Sequence, residues 1–278
     1  MIEQLRQTLR ALQKPAGIED GPGTLPLGVA AIDLALGGGL ARGALHEIAA
    51  AGEAHIAAAT GFAIRISTSC PALCRASTPS ARGRKQDVDG RDKPGHDERR
   101  KAVVWLAEDM ALAESGAPYG PGLEAFGLRP EHLLTVAAAH RRDLLWAMEE
   151  ALRCRAVSGV IGEWRGHEID GVAVRRLSLA ASESGALALL LRACPPSDAS
   201  TAATRWIVSA ALSSPSSGGG GERGEKSPCF AVALTRNRRG PLGAWTLQWS
   251  DDDERFVLAA PAQPVAAPAA DRPHRKIA

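Results

Sequence analysis

Residues 27–47, LGVAAIDLALGGGLARGALHE, decide the fold of this chain. Apolar residues around Asp33 predict a short helix, and the three glycines at 37–39 allow a turn with positive φ. Gly43 then lets the chain pass into an apolar run at 44–48, which predicts a strand. This order of helix, glycine turn and buried strand favours the start of an α/β core over a generic glycine-rich loop.

Beyond this stretch, apolar runs alternate with helical patterns. Strands are predicted at 103–107, 133–136, 157–161 and 186–191, and helices at 121–126, 142–155 and 172–183. Strands that alternate with helices of about 10 to 15 residues form parallel sheets through right-handed crossovers. Two further strands, 230–236 and 244–250, indicate a C-terminal β-hairpin. The predicted fold class is α/β, with a mostly parallel sheet flanked by helices.

Shifts in composition divide the chain into segments. Residues 1–24 open with an amphipathic helical pattern, in which Leu5, Leu9 and Leu12 share a face, and continue as a linker. The core is expected over 25–212. After it come a Gly/Ser-rich linker at 213–228, the β-hairpin of the core at 229–258 and a disordered Pro/Ala-rich tail at 259–278.

A polar segment at 67–101 interrupts the predicted core. It lacks hydrophobic periodicity, and residues 75–101 carry nine Lys/Arg against five Asp/Glu. Its charge would suit contact with nucleic acid, but no aromatic residue interleaves with the basic ones, as stacking on bases requires. We therefore favour a solvated and dispensable disordered insertion.

Composition favours a cytoplasmic protein. The 278 residues carry a formal net charge of +2 and five cysteines, whose odd number and scatter argue against a disulfide framework. No apolar run approaches the ~18 residues of a transmembrane helix, and the start lacks the apolar core of a signal peptide. Cys70 and Cys74 have no second Cys/His pair at a suitable spacing, so no metal site is expected.

The segment after the strand at 44–48 is the first candidate for chemistry. A phosphate-binding loop, G-x-x-x-x-G-K-[ST], cradles phosphates with backbone N–H groups, a Lys and a Mg²⁺-binding hydroxyl. Residues 49–61 read AAAGEAHIAAATG, so Ile56 stands near the Lys position and Ala57 near the Ser/Thr position. Glu53, next to Gly52, places a negative charge where phosphates would lie. This degenerate loop predicts neither ATP hydrolysis nor tight ATP binding, and no cofactor is expected.

Two carboxylates follow predicted strands at the places where catalytic groups would stand. Glu108 ends the run VVWLAE, and Glu163 follows Gly162, which lies near the position of a Mg²⁺-binding Asp. Without a Lys and a bound metal, we expect both to be remnants, and no catalytic residue is predicted.

Three stretches resemble one family. LPLGVAAIDLALGGGLARGALHE at 25–47, AEDMALAESGAPYGPGLEAFGL at 107–128 and RNRRGPLGAWTLQW at 236–249 resemble the ImuA-like group of the RecA-like superfamily, which is related to the SulA cell-division inhibitors. The resemblance implies a RecA-like P-loop-type core that commonly lacks an intact phosphate loop. It also implies an accessory role in SOS-inducible, error-prone translesion DNA synthesis.

The partners implied by this resemblance are an ImuB-like homologue of the Y-family polymerases and, indirectly, an error-prone replicative-type polymerase α subunit. RecA is a further candidate partner. Two other functions stay open at this point: a SulA-like inhibitor of cell division and a DNA-dependent ATPase of the RecA class.

The C-terminal hairpin supplies candidate contacts with DNA or a partner. Arg236, Arg238 and Arg239 lie in or beside the turn, and Trp245 and Trp249 alternate onto one face of the second strand. Either this face packs on the sheet, which we favour, or the basic turn and aromatic strand bind phosphate or protein.

Overall fold

The computed structural model describes residues 23–68, 102–166, 168–197, 200–212, 228–250 and 255–259. The amphipathic pattern at 1–13, most of the insertion at 67–101, the linker at 213–227 and the tail from 260 lie outside the described residues.

Strands and helices alternate along the core. The strands are β1 Thr24–Leu25, β2 Leu40–Ala41, β3 Leu45–Ala50, β4 Ala102–Glu108, β5 Leu133–Ala138, β6 Val157–Trp164, β7 Leu187–Arg192, β8 Thr204–Ala210, β9 Cys229–Asn237, β10 Gly243–Ser250 and β11 Arg255–Leu258. The helices are α1 Ala30–Ala35, α2 Ile56–Thr68, α3 Asp109–Ser115, α4 Gly120–Ala125, α5 Arg141–Arg153 and α6 Gly171–Ser184, with 3₁₀ turns at Glu53–His55 and Pro130–His132.

Within the described residues, nine strands form one sheet in the order β11-β10-β9-β8-β3-β7-β6-β4-β5. Strands β3 to β8 pair in parallel, whereas β8 to β11 pair antiparallel. The predicted α/β class with a mostly parallel sheet is confirmed. The predicted hairpin is present as β9 and β10, but it belongs to an antiparallel extension of the same sheet that also includes the unpredicted strands β8 and β11.

The two faces of the sheet bury separate apolar layers. On one face, Phe62 of α2 packs against Trp206, Phe230 and Phe256. On the other face, α5 and α6 cover β4, β6 and β7. Central strands are apolar on both sides because both faces are covered. The insertion predicted at 67 begins later, since Ser67 and Thr68 are buried in the last turn of α2.

The glycine turn predicted from residues 37–39 is a tight backbone crossing. Gly39 has a φ of 126°, and a Cβ there would lie 2.3 Å from the carbonyl oxygen of Leu25. The turn also meets the C-terminal hairpin, because Asn237 Nδ2 donates to the carbonyl oxygens of Ala35 at 2.8 Å and Pro241 at 3.0 Å. Two of the stretches that carry the family resemblance are therefore joined in space.

Buried polar groups tie β3 to β8. His46 contacts the Thr204 hydroxyl through Nδ1 and the Ala41 carbonyl oxygen through Nε2, both at 2.8 Å. A carbonyl can only accept, so Nε2 donates and Nδ1 accepts from Thr204. On the other side of β3, the fully buried Glu47 pairs with Arg205 at 2.6 Å and accepts a hydrogen bond from Ser200.

His46 should make stability depend on pH. The pKa of His46 is lowered from 6.5 to about 4, chiefly by burial; the hydrogen bond to Ala41 opposes this shift, and the charge of Arg239 adds to it. The fold favours the neutral ring, so its contribution is complete above pH 6.5 and is lost as the pH falls towards 4. We expect the free energy of unfolding to drop by about 3 kcal/mol over this interval.

Urea denaturation at pH 7, 6 and 5 measures this loss, and His46→Gln is the control that lacks the titrating ring. The slope between pH 6.5 and 5, where most carboxylates stay ionised, should be present in the wild type and smaller in the variant. Equal slopes would contradict the assignment to His46.

Candidate functional site

The connection between β3 and α2 is the place where a phosphate loop would lie. Only Ala51 and Gly52 separate the last residue of β3 from the 3₁₀ turn at Glu53–His55, which runs directly into α2. Three backbone N–H groups of this connection, those of residues 51, 55 and 56, already donate to carbonyl oxygens of the protein, whereas a phosphate loop needs such groups free to cradle phosphates. Gly52 has a φ of 175°, and a Cβ there would meet nothing within 4 Å. This glycine therefore holds ordinary extended backbone in open space.

Ile56 and Ala57 lie in the first turn of α2 and line a cleft of about 310 Å³. The cleft opens at the carboxyl ends of the parallel strands, the usual location of ligand sites in such sheets. Its wall is largely apolar and includes Ile64, Trp105, Leu123 and Phe126. Glu53 is exposed beside it. The charged residues of the lining are Glu163 and Arg165.

Glu163, at the end of β6, is held by an arginine. Its carboxylate is buried and lies 2.8 Å from the Arg165 guanidinium. Arg165 also contacts Glu114 at 3.2 Å and donates to the Ser115 hydroxyl at 2.7 Å. These contacts neutralise the carboxylate and fix it to the last turn of α3.

Glu108 lies on the opposite face of the sheet from Glu163. Trp105 and Ala107 of β4 belong to the apolar layer under α2, so alternation along the strand turns Glu108 towards α5. There it pairs with Arg141 at 3.0 Å. The structure therefore does not bring the two remnant carboxylates together.

Gly162 occupies its position because of close packing. A Cβ on this residue would lie 2.6 Å from Sδ of Met148 in α5. An Asp at this place would have to displace Met148 and bury a charge in the apolar layer, which is costly. The sequence predicted the helix at 142–155 but not that its Met148 packs against this glycine.

Arg65, the one basic residue of α2, is enclosed. Its guanidinium carbon lies 3.3 Å from the centre of the Trp249 ring and 4.5 Å from that of Phe126, and it also donates to the Ala125 carbonyl oxygen. Arg65 is 2% exposed. It therefore works as a cation–π clamp between α2, α4 and β10, a role that sequence reasoning missed.

The aromatic candidates of the hairpin pack on the sheet, as the favoured interpretation expected. Trp249 is buried against Arg65, and Trp245 is half-buried with its ring centre 6.2 Å from that of Trp206. In this structure, the buried Trp249 presents no surface to a partner or to DNA.

The three candidate arginines of the hairpin differ in whether their side chains already donate hydrogen bonds within the protein. Arg236 donates to the carbonyl oxygen of Ala202 at 3.1 Å, and Arg239 donates to that of Gly37 at 3.1 Å. Arg238 is exposed, and its side chain has no polar partner among the described residues. It is therefore the candidate with a free charge.

The part of the chain that the structure describes contains neither a metal-binding cluster nor a membrane-spanning helix. No group of three or more His, Cys, Asp or Glu residues is placed there to hold a metal ion. Cys70 and Cys74 lie outside the described residues. Among the described helices, none has both the length and the apolar character needed to cross a membrane.

Comparison with solved structures identifies the fold. The chain is similar to the crystal structure of the RadB recombinase, with a TM-score of 0.50 and 13% sequence identity over 84% of this chain and 98% of that chain. No protein-family model matches the sequence, and no curated protein does so. At this identity the likeness shows the fold alone: the chain has a RecA-like core.

Restoring the two missing side chains should not restore nucleotide binding. In Ile56→Lys/Ala57→Thr, the lysine and the hydroxyl return, but the backbone N–H groups of residues 51, 55 and 56 stay bonded within the protein and cannot cradle phosphates. We expect equilibrium dialysis with Mg-ATP to detect no binding tighter than about 1 mM. Ile56→Ala/Ala57→Thr controls for the loss of Ile56 packing. Micromolar binding by the lysine variant would show that a cradle exists.

Proposed function

We propose that this chain is a non-catalytic accessory protein of SOS-inducible, error-prone translesion DNA synthesis, which acts by binding an ImuB-like homologue of the Y-family polymerases. One observation carries the proposal: the first turn of α2, where a phosphate loop would present a cation, lines an apolar cleft with Ile56 and Ala57. A RecA-like core with such a cleft is suited to binding macromolecules rather than to hydrolysing ATP. The assignment to translesion DNA synthesis rests on the three stretches that resemble the ImuA-like group.

The partner surface that we propose lies where two of these stretches meet. Leu34 on α1 is 83% exposed and Leu242 after the basic turn is 59% exposed, while Arg238 is free in the same turn. Asn237 joins the two segments through the Ala35 carbonyl oxygen. Exposed apolar side chains beside an arginine are typical of the centres of interfaces. We call Leu34, Arg238 and Leu242 the turn surface.

More distant partners belong to the same proposal. The replicative-type polymerase α subunit would be reached through the ImuB-like homologue. RecA is a further candidate partner, supported only by the likeness of fold. Direct DNA contact would fall to Arg238, because Arg236 and Arg239 already donate to backbone carbonyl oxygens.

Capture from DNA-damaged cells tests the proposal. The tagged wild-type chain should retain the ImuB-like homologue, and Arg238→Glu/Leu242→Asp should reduce the amount at least about tenfold, since it removes an apolar and a cationic contact together. Leu179→Asp is the matched control, because Leu179 is 54% exposed on α6, outside the turn surface. This control should retain the same amount of the ImuB-like homologue as the wild type.

Damage-induced mutagenesis should fall in cells that carry the turn-surface variant, with no change in filamentation. Capture of the tubulin-like division protein in place of the polymerase homologue, or filamentation that depends on the chain, would replace this proposal with a SulA-like function. Equal capture by all three chains would reject the turn surface.

A further inference from the structure

A groove of about 860 Å³ runs between α5 and α6, on the opposite face of the sheet from the apolar cleft. Two indole rings line it: Trp146, which is 61% exposed on α5, and Trp164, which ends β6. The exposed ring face of Trp146 can receive a cation.

The groove is acidic. Four carboxylates line it against two arginines, which leaves a net charge of −2: Asp143, Glu149, Glu168 and Asp170 against Arg142 and Arg176. Glu149 is already paired with Arg153 and Arg176, and Asp170 caps α6 by accepting from the Val172 N–H. Within the described residues, Asp143 and Glu168 have neither an ion pair nor a hydrogen bond to their side chains.

Unpaired carboxylates beside an exposed indole ring are suited to bind one kind of group, a guanidinium or ammonium group on a peptide. The same chain contains a basic segment that carries such groups. Residues 271–276, DRPHRK, carry Arg272, Arg275 and Lys276 against Asp271, a formal charge of +2 that balances the groove.

The chain is long enough to bring this segment to the groove. Across the sheet, six strand spacings separate β11 from β6, a distance of about 29 Å. Combined at right angles with the length of one strand, this gives a distance of about 35 Å from the end of β11 to the groove. Thirteen residues from 260 to 272 include Pro261, Pro264 and Pro268. At about 3.1 Å per residue, a chain of thirteen residues can reach about 40 Å.

We propose that the groove between α5 and α6 binds the basic segment 272–276 of the same chain. Arg272, Arg275 and Lys276 pair with Asp143 and Glu168, and one of the cations lies on the face of Trp146. This intramolecular contact is independent of the turn surface, so it stands or falls separately from the proposed function.

Indole N–H resonances of the full-length chain test the contact. The six tryptophans give six such signals, of which Trp146 and Trp105 are assigned with Trp146→Phe and Trp105→Phe. Compared with the wild type, Arg272→Ala/Arg275→Ala/Lys276→Ala should shift the Trp146 signal and leave that of Trp105, which is buried on the opposite face, in place. An unchanged Trp146 signal would overturn the proposal.

A peptide of residues 269–278 provides the second arm. Added to the full-length triple-alanine chain, it should bind and return the Trp146 signal towards its wild-type position. Asp143→Lys/Glu168→Lys in the same chain should weaken this binding at least about tenfold. Glu183→Lys, an exposed charge change at the far end of α6, should alter it less than about twofold.

Two results reject the groove as an intramolecular site. Equal peptide affinity in the groove-reversed and Glu183→Lys chains would place the contact elsewhere. A Trp146 shift that depends on protein concentration would assign the segment to a second copy of the chain.

Discussion

The joint between β3 and β8 is the constraint on which the rest of the structure depends. The antiparallel strands β8 to β11 reach the parallel sheet through this one strand pair in the described chain. Both sides of the joint carry buried polar groups, His46 with Thr204 on one and Glu47 with Arg205 on the other. Removing one partner of a buried polar pair leaves the other unsatisfied, which costs more than the bond itself contributes. The joint therefore fixes the register of the extension and, with it, the positions of Trp206 and Trp249 over α2.

The segment that follows β3 borders an apolar cleft at the edge of the sheet where such folds usually bind ligands. After Ala50, the 3₁₀ turn at Glu53–His55 leads into α2, whose Arg65 lies between Trp249 and Phe126. The space left beside α2 is lined by apolar residues, and its carboxylate, Glu163, is occupied by Arg165. Because Arg65 and Arg165 make contacts within the core, the core keeps its shape without a bound phosphate.

Much of this architecture could be predicted from sequence, because apolar runs and glycine turns act locally. Residues 27–47 indicated the helix, turn and strand, and the alternation of Trp245 and Trp249 indicated a face that packs on the sheet. Strand β8 was missed because Arg205 and Ser209 interrupt its apolar character, and only its inward residues, Thr204, Trp206 and Val208, are buried. Tertiary contacts decided the rest: neither the opposite faces of Glu108 and Glu163 nor the burial of Arg65 has a signature in one sequence.

Thermal unfolding of the wild-type chain with and without Mg-ATP tests the central claim most directly, that this RecA-like core serves as a binding scaffold without nucleotide chemistry. A ligand that binds the native state raises the unfolding midpoint, and about 100-fold excess over Kd adds about 2.7 kcal/mol to the free energy of unfolding. We expect the same midpoint, within about 1 °C, at millimolar Mg-ATP and at matched Mg²⁺ and ionic strength without nucleotide. A saturable rise of the midpoint with Mg-ATP would contradict this expectation and favour a DNA-dependent ATPase of the RecA class.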